Sequence, residues 1–201
     1  MDYKRKKQKG VSLIEILIGL AIVAIIGLLA ASVYFTQSRL FGRQTTQIDV
    51  ATQNKLALEE MVNVIRSAES VVASCCSPVE TTSADTLVLR LWTTNASGNP
   101  QDPPASPAPQ DYDYIIYKRD TSDTTKLIKK TVPAAESSRP GSTDVLAIKI
   151  GNENGDLVFN LDNADPAMAR EVTVTLSTEA QILNETQAST NTASAVLRNK
   201  E

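Results

Sequence analysis

The stretch Lys9-Gly10-Val11-Ser12-Leu13-Ile14-Glu15-Ile16-Leu17-Ile18-Gly19-Leu20 decides how the chain is read, because it sets a carboxylate, Glu15, at the mouth of a long apolar run. From Ile16 to Ser38 there are 23 residues without a charge. Wound as a helix at about 1.5 Å per residue, Ile16 to Phe35 alone reaches about 30 Å, the thickness of bilayer hydrocarbon. A charged group at the centre of such a helix costs about 2.5–3.5 kcal/mol on insertion scales, and less near its end. No basic side chain lies within helical reach inside the run, so Glu15 asks for a partner from elsewhere.

Upstream, the leader Met1 to Gly10 holds Lys4, Arg5, Lys6, Lys7 and Lys9 against Asp2, a net charge of +4. Only Arg39 and Arg43 follow the run closely, and this asymmetry places the amino terminus in the cytoplasm and the body outside. A cleaved secretory signal would begin in the same way. Its apolar core is only about 7–15 residues, however, and Leu28-Leu29-Ala30-Ala31-Ser32 fits its small-residue cleavage site poorly. A plain signal anchor has the right length but no need of an acid.

The residues Lys9-Gly10-Val11-Ser12-Leu13-Ile14-Glu15 resemble the processing site of class III prepilins, the precursors of type IV pilins and pseudopilins. The resemblance implies that prepilin peptidase cuts after Gly10 on the cytoplasmic side, that Val11 becomes the N-methylated first residue, and that Glu15 is the acid that sets assembly register. Val11 stands where the family usually has Phe, and the membrane run has no Pro. Other pilin or pseudopilin subunits, an inner-membrane assembly platform and membrane lipid are the implied partners. The implied fold is the α+β pilin fold, a long amino-terminal helix packed on an antiparallel β-sheet head. The ending Ser194-Ala195-Val196-Leu197-Arg198-Asn199, with its hydrophobic-Arg-Asn pattern, resembles the closing strand of minor pilins and J-type pseudopilins. The chain lacks the widely spaced Cys pair of typical major pilins.

Beyond the membrane run the apolar residues keep a helical step: Phe41, Ile48, Ala51, Leu58, Val62, Ile65, Ala68 and Val72. Between them Arg43, Gln44, Asp49, Gln53, Asn54, Lys55, Glu59, Glu60 and Arg66 read as a solvated face. One helix is expected from about Ser12 to Val72, closed by Cys75-Cys76-Ser77-Pro78, since the residue before Pro resists helix. The implied organisation is a leader, 1–10; a membrane or filament-core segment, 11–38; an amphipathic half of the same helix, 39–74; and a β-rich head, 75–201. Expected strands are Thr86–Thr93, Tyr114–Lys118, Lys126–Thr131, Asp144–Ile150, Asp156–Leu161 and Glu171–Leu176. Alternation in 144–150 and 171–176 implies one buried and one wet face. Asn154-Gly155 is a hairpin signal, and residues 95–111, with five prolines, read as a surface loop.

Composition removes several functions. There is no histidine, the commonest general base and metal ligand, and no phosphate loop or nucleophile elbow appears. The chain carries a formal charge of −3; with the leader's +4 set aside, the body carries −7, which argues against nucleic acid as a partner. Cys75 and Cys76 lack zinc spacing and are read as a reduced pair at the helix end rather than as a vicinal disulfide. Asn152, Asn154 and Asp156, and Asp162, Asn163 and Asp165, resemble pieces of calcium loops but are expected to serve as turn formers. Trp92 is expected in the core. No catalytic, cofactor or metal site is expected, and the chain is read as a minor pilin or pseudopilin rather than an enzyme. The alternatives are a tip adhesin, a DNA-uptake pilin or a major subunit.

Overall fold

The computed structural model describes residues 12–101, 108–151, 155–182 and 185–198. A single helix, α1, runs Leu13–Ser67. Contacts divide the chain into two compact units, Met1–Gln44 and Thr45–Glu201. In the first unit the described residues are helical apart from Ser12, and their large apolar side chains, Leu13 to Phe35, are exposed all round. A helix greasy on every side is stable only inside lipid or other apolar helices. Two of its hydroxyls are satisfied locally, Ser32 donating to the Leu29 carbonyl at 2.8 Å and Thr36 to that of Ser32 at 2.9 Å.

In the second unit the remaining turns of α1 pack on antiparallel sheets, a pilin-like α+β fold. The strands are β1 (Ser70–Val71), β2 (Ser74–Cys75), β3 (Glu80–Thr81), β4 (Leu87–Trp92), β5 (Tyr112–Arg119), β6 (Leu127–Val132), β7 (Ser142–Ala147), β8 (Leu157–Leu161), β9 (Glu171–Ile182) and β10 (Glu185–Val196). Five form one sheet in the order β1-β4-β5-β6-β7, three a second in the order β10-β9-β8, and β2 pairs with β3. Both larger sheets and the helix face one core, in which Met61 and Ile65 of α1 meet Leu87, Leu89, Val174 and Leu176. Full burial of a side chain of this size contributes about 1.5–3 kcal/mol.

The buried face of α1 is Val50, Asn54, Ala57, Leu58, Met61 and Ile65. It is rotated from the expected stripe: Leu58 and Ile65 are on it, whereas Phe41 and Ile48 are exposed. Several polar residues expected in solvent instead reach the head. Asp49 pairs with Lys149, Glu60 with Lys129, and the Gln53 side chain accepts from the Ile148 N–H. Asn54 is wholly buried.

The helix stops at Ser67, short of the expected Val72. The Glu69 N–H donates to the Arg90 carbonyl and the Val72 N–H to the Val88 carbonyl, so the β-branched Val71-Val72 pair is drawn to the edge of β4. Cys75 and Cys76 accordingly lie in β2 and the turn after it, and they are joined to each other as a vicinal disulfide, not reduced at a helix end. Cys76 has φ 71°, in the left-handed region that side chains rarely adopt.

Residues 144–150 do not form one alternating strand. The strand ends at Ala147, Lys149 has φ 66°, and Ile150 then bridges Thr178 of the other sheet. The expected hairpin at Asn154-Gly155 is therefore a crossing between sheets: β7 and β8 belong to different ones, and Asn154 itself lies outside the described residues. Strands β4, β5, β6 and β8 lie within two residues of their expected bounds. By contrast β9 and β10 are each 12 residues long, paired from Glu171↔Val196 to Ile182↔Glu185, well beyond the expected segments. Asn199 lies outside the described residues, and Trp92 is half-buried rather than core, stacked on Tyr112 at 5.1 Å.

Candidate assembly site

Glu15 sits in the first turn of α1 and is exposed. The turn is closed by the Glu15 and Ile16 N–H groups, which donate to the Ser12 carbonyl at 3.0 and 3.3 Å. A carboxylate at this position meets unpaired N–H groups and the positive end of the helix dipole, an interaction of about 0.3–1 kcal/mol. The local backbone therefore tolerates Glu15 without satisfying it. Gly10 and Val11, where processing is expected, lie outside the described residues. Around Glu15 stand Leu13, Ile14, Ile16 and Ile18, all exposed, so the carboxylate belongs to a surface that is otherwise apolar. One 18-residue window of α1 reaches a mean hydropathy of 2.9 with none of it buried; by length and composition the helix can cross a membrane.

In the head, charged groups are consumed in pairs. Asp113, wholly buried, accepts from the Ala134 N–H at 2.9 Å and the Ser137 hydroxyl at 2.8 Å, and pairs with Arg139 at 2.9 Å. Glu69 holds Arg90, whose guanidinium lies 4.4 Å above the Tyr112 ring. Glu80 takes both Lys118 and Lys130; burial works to raise its carboxyl pKa, but the Lys118 hydrogen bond and charge, with Lys130 behind them, hold it below its ordinary value. The Cys75–Cys76 disulfide, Pro109, Tyr114 and Pro133 line an open cleft of about 830 Å³.

The calcium-like stretches are turns where they are described. Asp162 accepts from the Arg170 N–H, Asn163 from that of Asp165, and Asp165 from that of Ala167. Asp156 lies so close to Gly151 that a Cβ there would collide with its carboxylate; Asn152 and Asn154 lie outside the described residues. Among the described residues no three of His, Cys, Asp and Glu gather as a metal site.

One organising residue escaped the sequence reading. The Asn54 amide donates to the carbonyls of Leu176 at 2.7 Å and Ser189 at 2.8 Å, and its oxygen accepts from Asn191 at 3.0 Å. It ties α1 to β9 and β10 at once. Its position, four residues from both Val50 and Leu58, was the available signal. Replacing Asn54 by Ala removes these three hydrogen bonds at once, and a loss of about 2–3 kcal/mol is expected. At about 2–4 °C per kcal/mol for a domain of this size, thermal melting of the mature chain in detergent should fall by about 4–12 °C. Tyr117 provides the contrast: it is fully buried, its hydroxyl has no hydrogen-bond partner among the described residues, and burial pushes its pKa far above the ordinary value. Tyr117→Phe removes that orphan, and the same melting temperature is expected unchanged or raised by up to about 4 °C.

The model of the prokaryotic N-terminal methylation motif matches residues 5–31, the span that holds Gly10, Val11 and Glu15. No curated protein and no solved structure matches the chain. The amino-terminal segment thus carries the prokaryotic N-terminal methylation motif, and the second unit has a pilin-like α+β fold.

Proposed function

We propose that the chain is the precursor of a minor pilin or pseudopilin, a structural subunit that starts or caps a type IV pilus or a type II secretion pseudopilus. The observation that carries this reading is Glu15, in the first turn of an exposed apolar helix and inside a matched methylation motif. Prepilin peptidase removes residues 1–10, and the Val11 amine is methylated. The subunit waits in the inner membrane with its amino terminus inside, segment 11–38 spanning, and the amphipathic half 39–74 and head 75–201 outside. Five leader cations against Arg39 and Arg43 support that orientation.

Cleavage creates the group that Glu15 lacks. A free α-amine has an ordinary pKa of about 7.7–8.0 and is largely cationic. At about 4 Å and an effective dielectric near 20, two opposite unit charges attract by about 4 kcal/mol before desolvation is subtracted. Most of that is cancelled by taking both out of water. The remaining effect is selective: only a stagger that brings an amine of one subunit beside Glu15 of another avoids a lone carboxylate among apolar helices. The platform and sibling subunits are then the partners, with lipid the medium before assembly.

A minor rather than a major role is supported by the ending Val196-Leu197-Arg198-Asn199 and by cysteines that bridge only each other. The test is intact mass and amino-terminal sequencing of the chain isolated from its own cells. A start at methylated Val11 is expected; a retained leader or another start overturns the reading.

A further inference from the structure

We infer that the open cleft beside the Cys75–Cys76 disulfide is a binding site for a short neutral saccharide. Its volume of about 830 Å³ falls within the range of small-molecule sites, about 300–1,000 Å³. The disulfide has little use as a staple. A bridge between neighbours closes the smallest loop the chain allows and so constrains the unfolded state least. It also holds Cys76 at φ 71°, a conformation that side chains rarely adopt, which subtracts from any stability gained. What the bridge does supply is a surface, two half-buried sulfurs that form an apolar, polarisable facet on the cleft wall.

The rest of the wall is set before anything binds. Tyr112 and Tyr114 stand on one face of β5, two residues apart, with Val132 of β6 opposite Tyr114. Tyr112 is held by the Arg90 guanidinium at 4.4 Å and the Trp92 ring at 5.1 Å. The Tyr114 hydroxyl donates to the Pro109 carbonyl at 2.8 Å, which fixes the ring and leaves the phenol oxygen able to accept. Pro109 and Pro133 complete the apolar facets and have no side-chain freedom to lose. Little ordering is left to be done on binding.

Polar groups of the same cleft are unspent. Asp111 accepts from the Ala108 N–H through one carboxylate oxygen, and the side chains of Gln101, Gln110 and Glu136 make no hydrogen bond or ion pair among the described residues. This set selects the occupant. Amides donate and accept, and carboxylates accept at two oxygens, which matches hydroxyl groups that are each donor and acceptor. The tyrosine ring, the prolines and the disulfide match the C–H face of a sugar ring. Asp111 and Glu136 border the cleft, and no lysine or arginine is among its described lining residues, so an acidic glycan or a nucleic acid is repelled. A cation gains little, because Glu136 is exposed and keeps its hydration. An apolar peptide would leave the amides unpaired. The site belongs to the head and does not depend on cleavage at Gly10 or on the filament served.

The test uses the full chain in a polyoxyethylene detergent, which has no sugar headgroup to compete. Cellotriose, maltotriose, chitotriose and the acidic trigalacturonate are each titrated by calorimetry. At least one neutral trisaccharide should bind, with trigalacturonate weaker by about tenfold or more. For the sugar that binds, Tyr114→Ala should weaken affinity by about tenfold, whereas Tyr114→Phe, which keeps the ring, should cost about threefold or less. Gln101→Ala with Gln110→Ala, both outside the packed core, should weaken it by about fivefold or more. Cys75→Ser with Cys76→Ser removes the sulfur facet and should cost about threefold. Lys55→Ala, on α1 and away from the cleft, should leave affinity unchanged. Thermal melting of each variant separates lost binding from lost folding. Failure of all three neutral sugars to bind, trigalacturonate binding as tightly as they do, or an affinity indifferent to the glutamine pair in chains that melt like wild type, overturns the proposal.

Discussion

Replacing Gly10 by Val is expected to abolish processing, so that the chain accumulates as a precursor ten residues longer than the mature form. The physical ground is access. A peptidase must bring catalytic groups to the carbonyl that precedes Val11, and a residue without Cβ allows the backbone its closest approach. Added methyl groups at the cut cost little in the folded chain, because position 10 lies before α1 begins. The effect therefore falls on cleavage alone. Membrane insertion should persist, since the apolar run and the leader cations are untouched. Intact mass reports the outcome directly, and normal processing would place the cut elsewhere.

What the sequence disclosed divides along a physical line. Features set by neighbours in the chain were legible. The membrane-length helix follows from an uncharged run, the Glu15 motif is read within seven residues, and strands such as 87–92 and 112–119 announce themselves by β-branched and aromatic content. Features set by distant partners were not. Val71 and Val72 continue the helical spacing, but β4 offers them a ladder. Asn54 looks solvated until Leu176 and Ser189 present carbonyls to it. The cysteines were read as a reduced pair because the helix was expected to end just before them; with its end at Ser67, they fall in β2 and the turn after it, where they are joined. Strand β10 was largely missed because Thr, Ser, Ala and Asn give no apolar alternation. Its partner β9 defines it instead, through the hydroxyl pairs Thr173–Ser194, Thr175–Thr192 and Ser177–Thr190.

Replacing Glu15 by Val should leave cleavage intact and remove the subunit from filaments. The two effects separate because they depend on different atoms. On the proposed reading, cutting requires the backbone at Gly10 and Val11, whereas docking requires a carboxylate four residues on. Val at position 15 makes the helix more apolar, so the isolated chain should sit in the membrane at least as well as wild type. In the assembled state the incoming amine loses its counter-charge, and a buried cation without a partner costs about 3–5 kcal/mol. That corresponds to a loss of about 10²–10³-fold or more in incorporation. Glu15→Gln distinguishes charge from shape, keeping size and hydrogen bonding while removing the ion. If the ion sets the stagger, Gln should fail nearly as badly as Val. If bulk at the helix start is what matters, Gln should assemble and only Val should fail. Quantifying each variant in sheared filaments against the membrane pool, with wild type as reference, decides between them, and undiminished incorporation of both would remove Glu15 from assembly altogether.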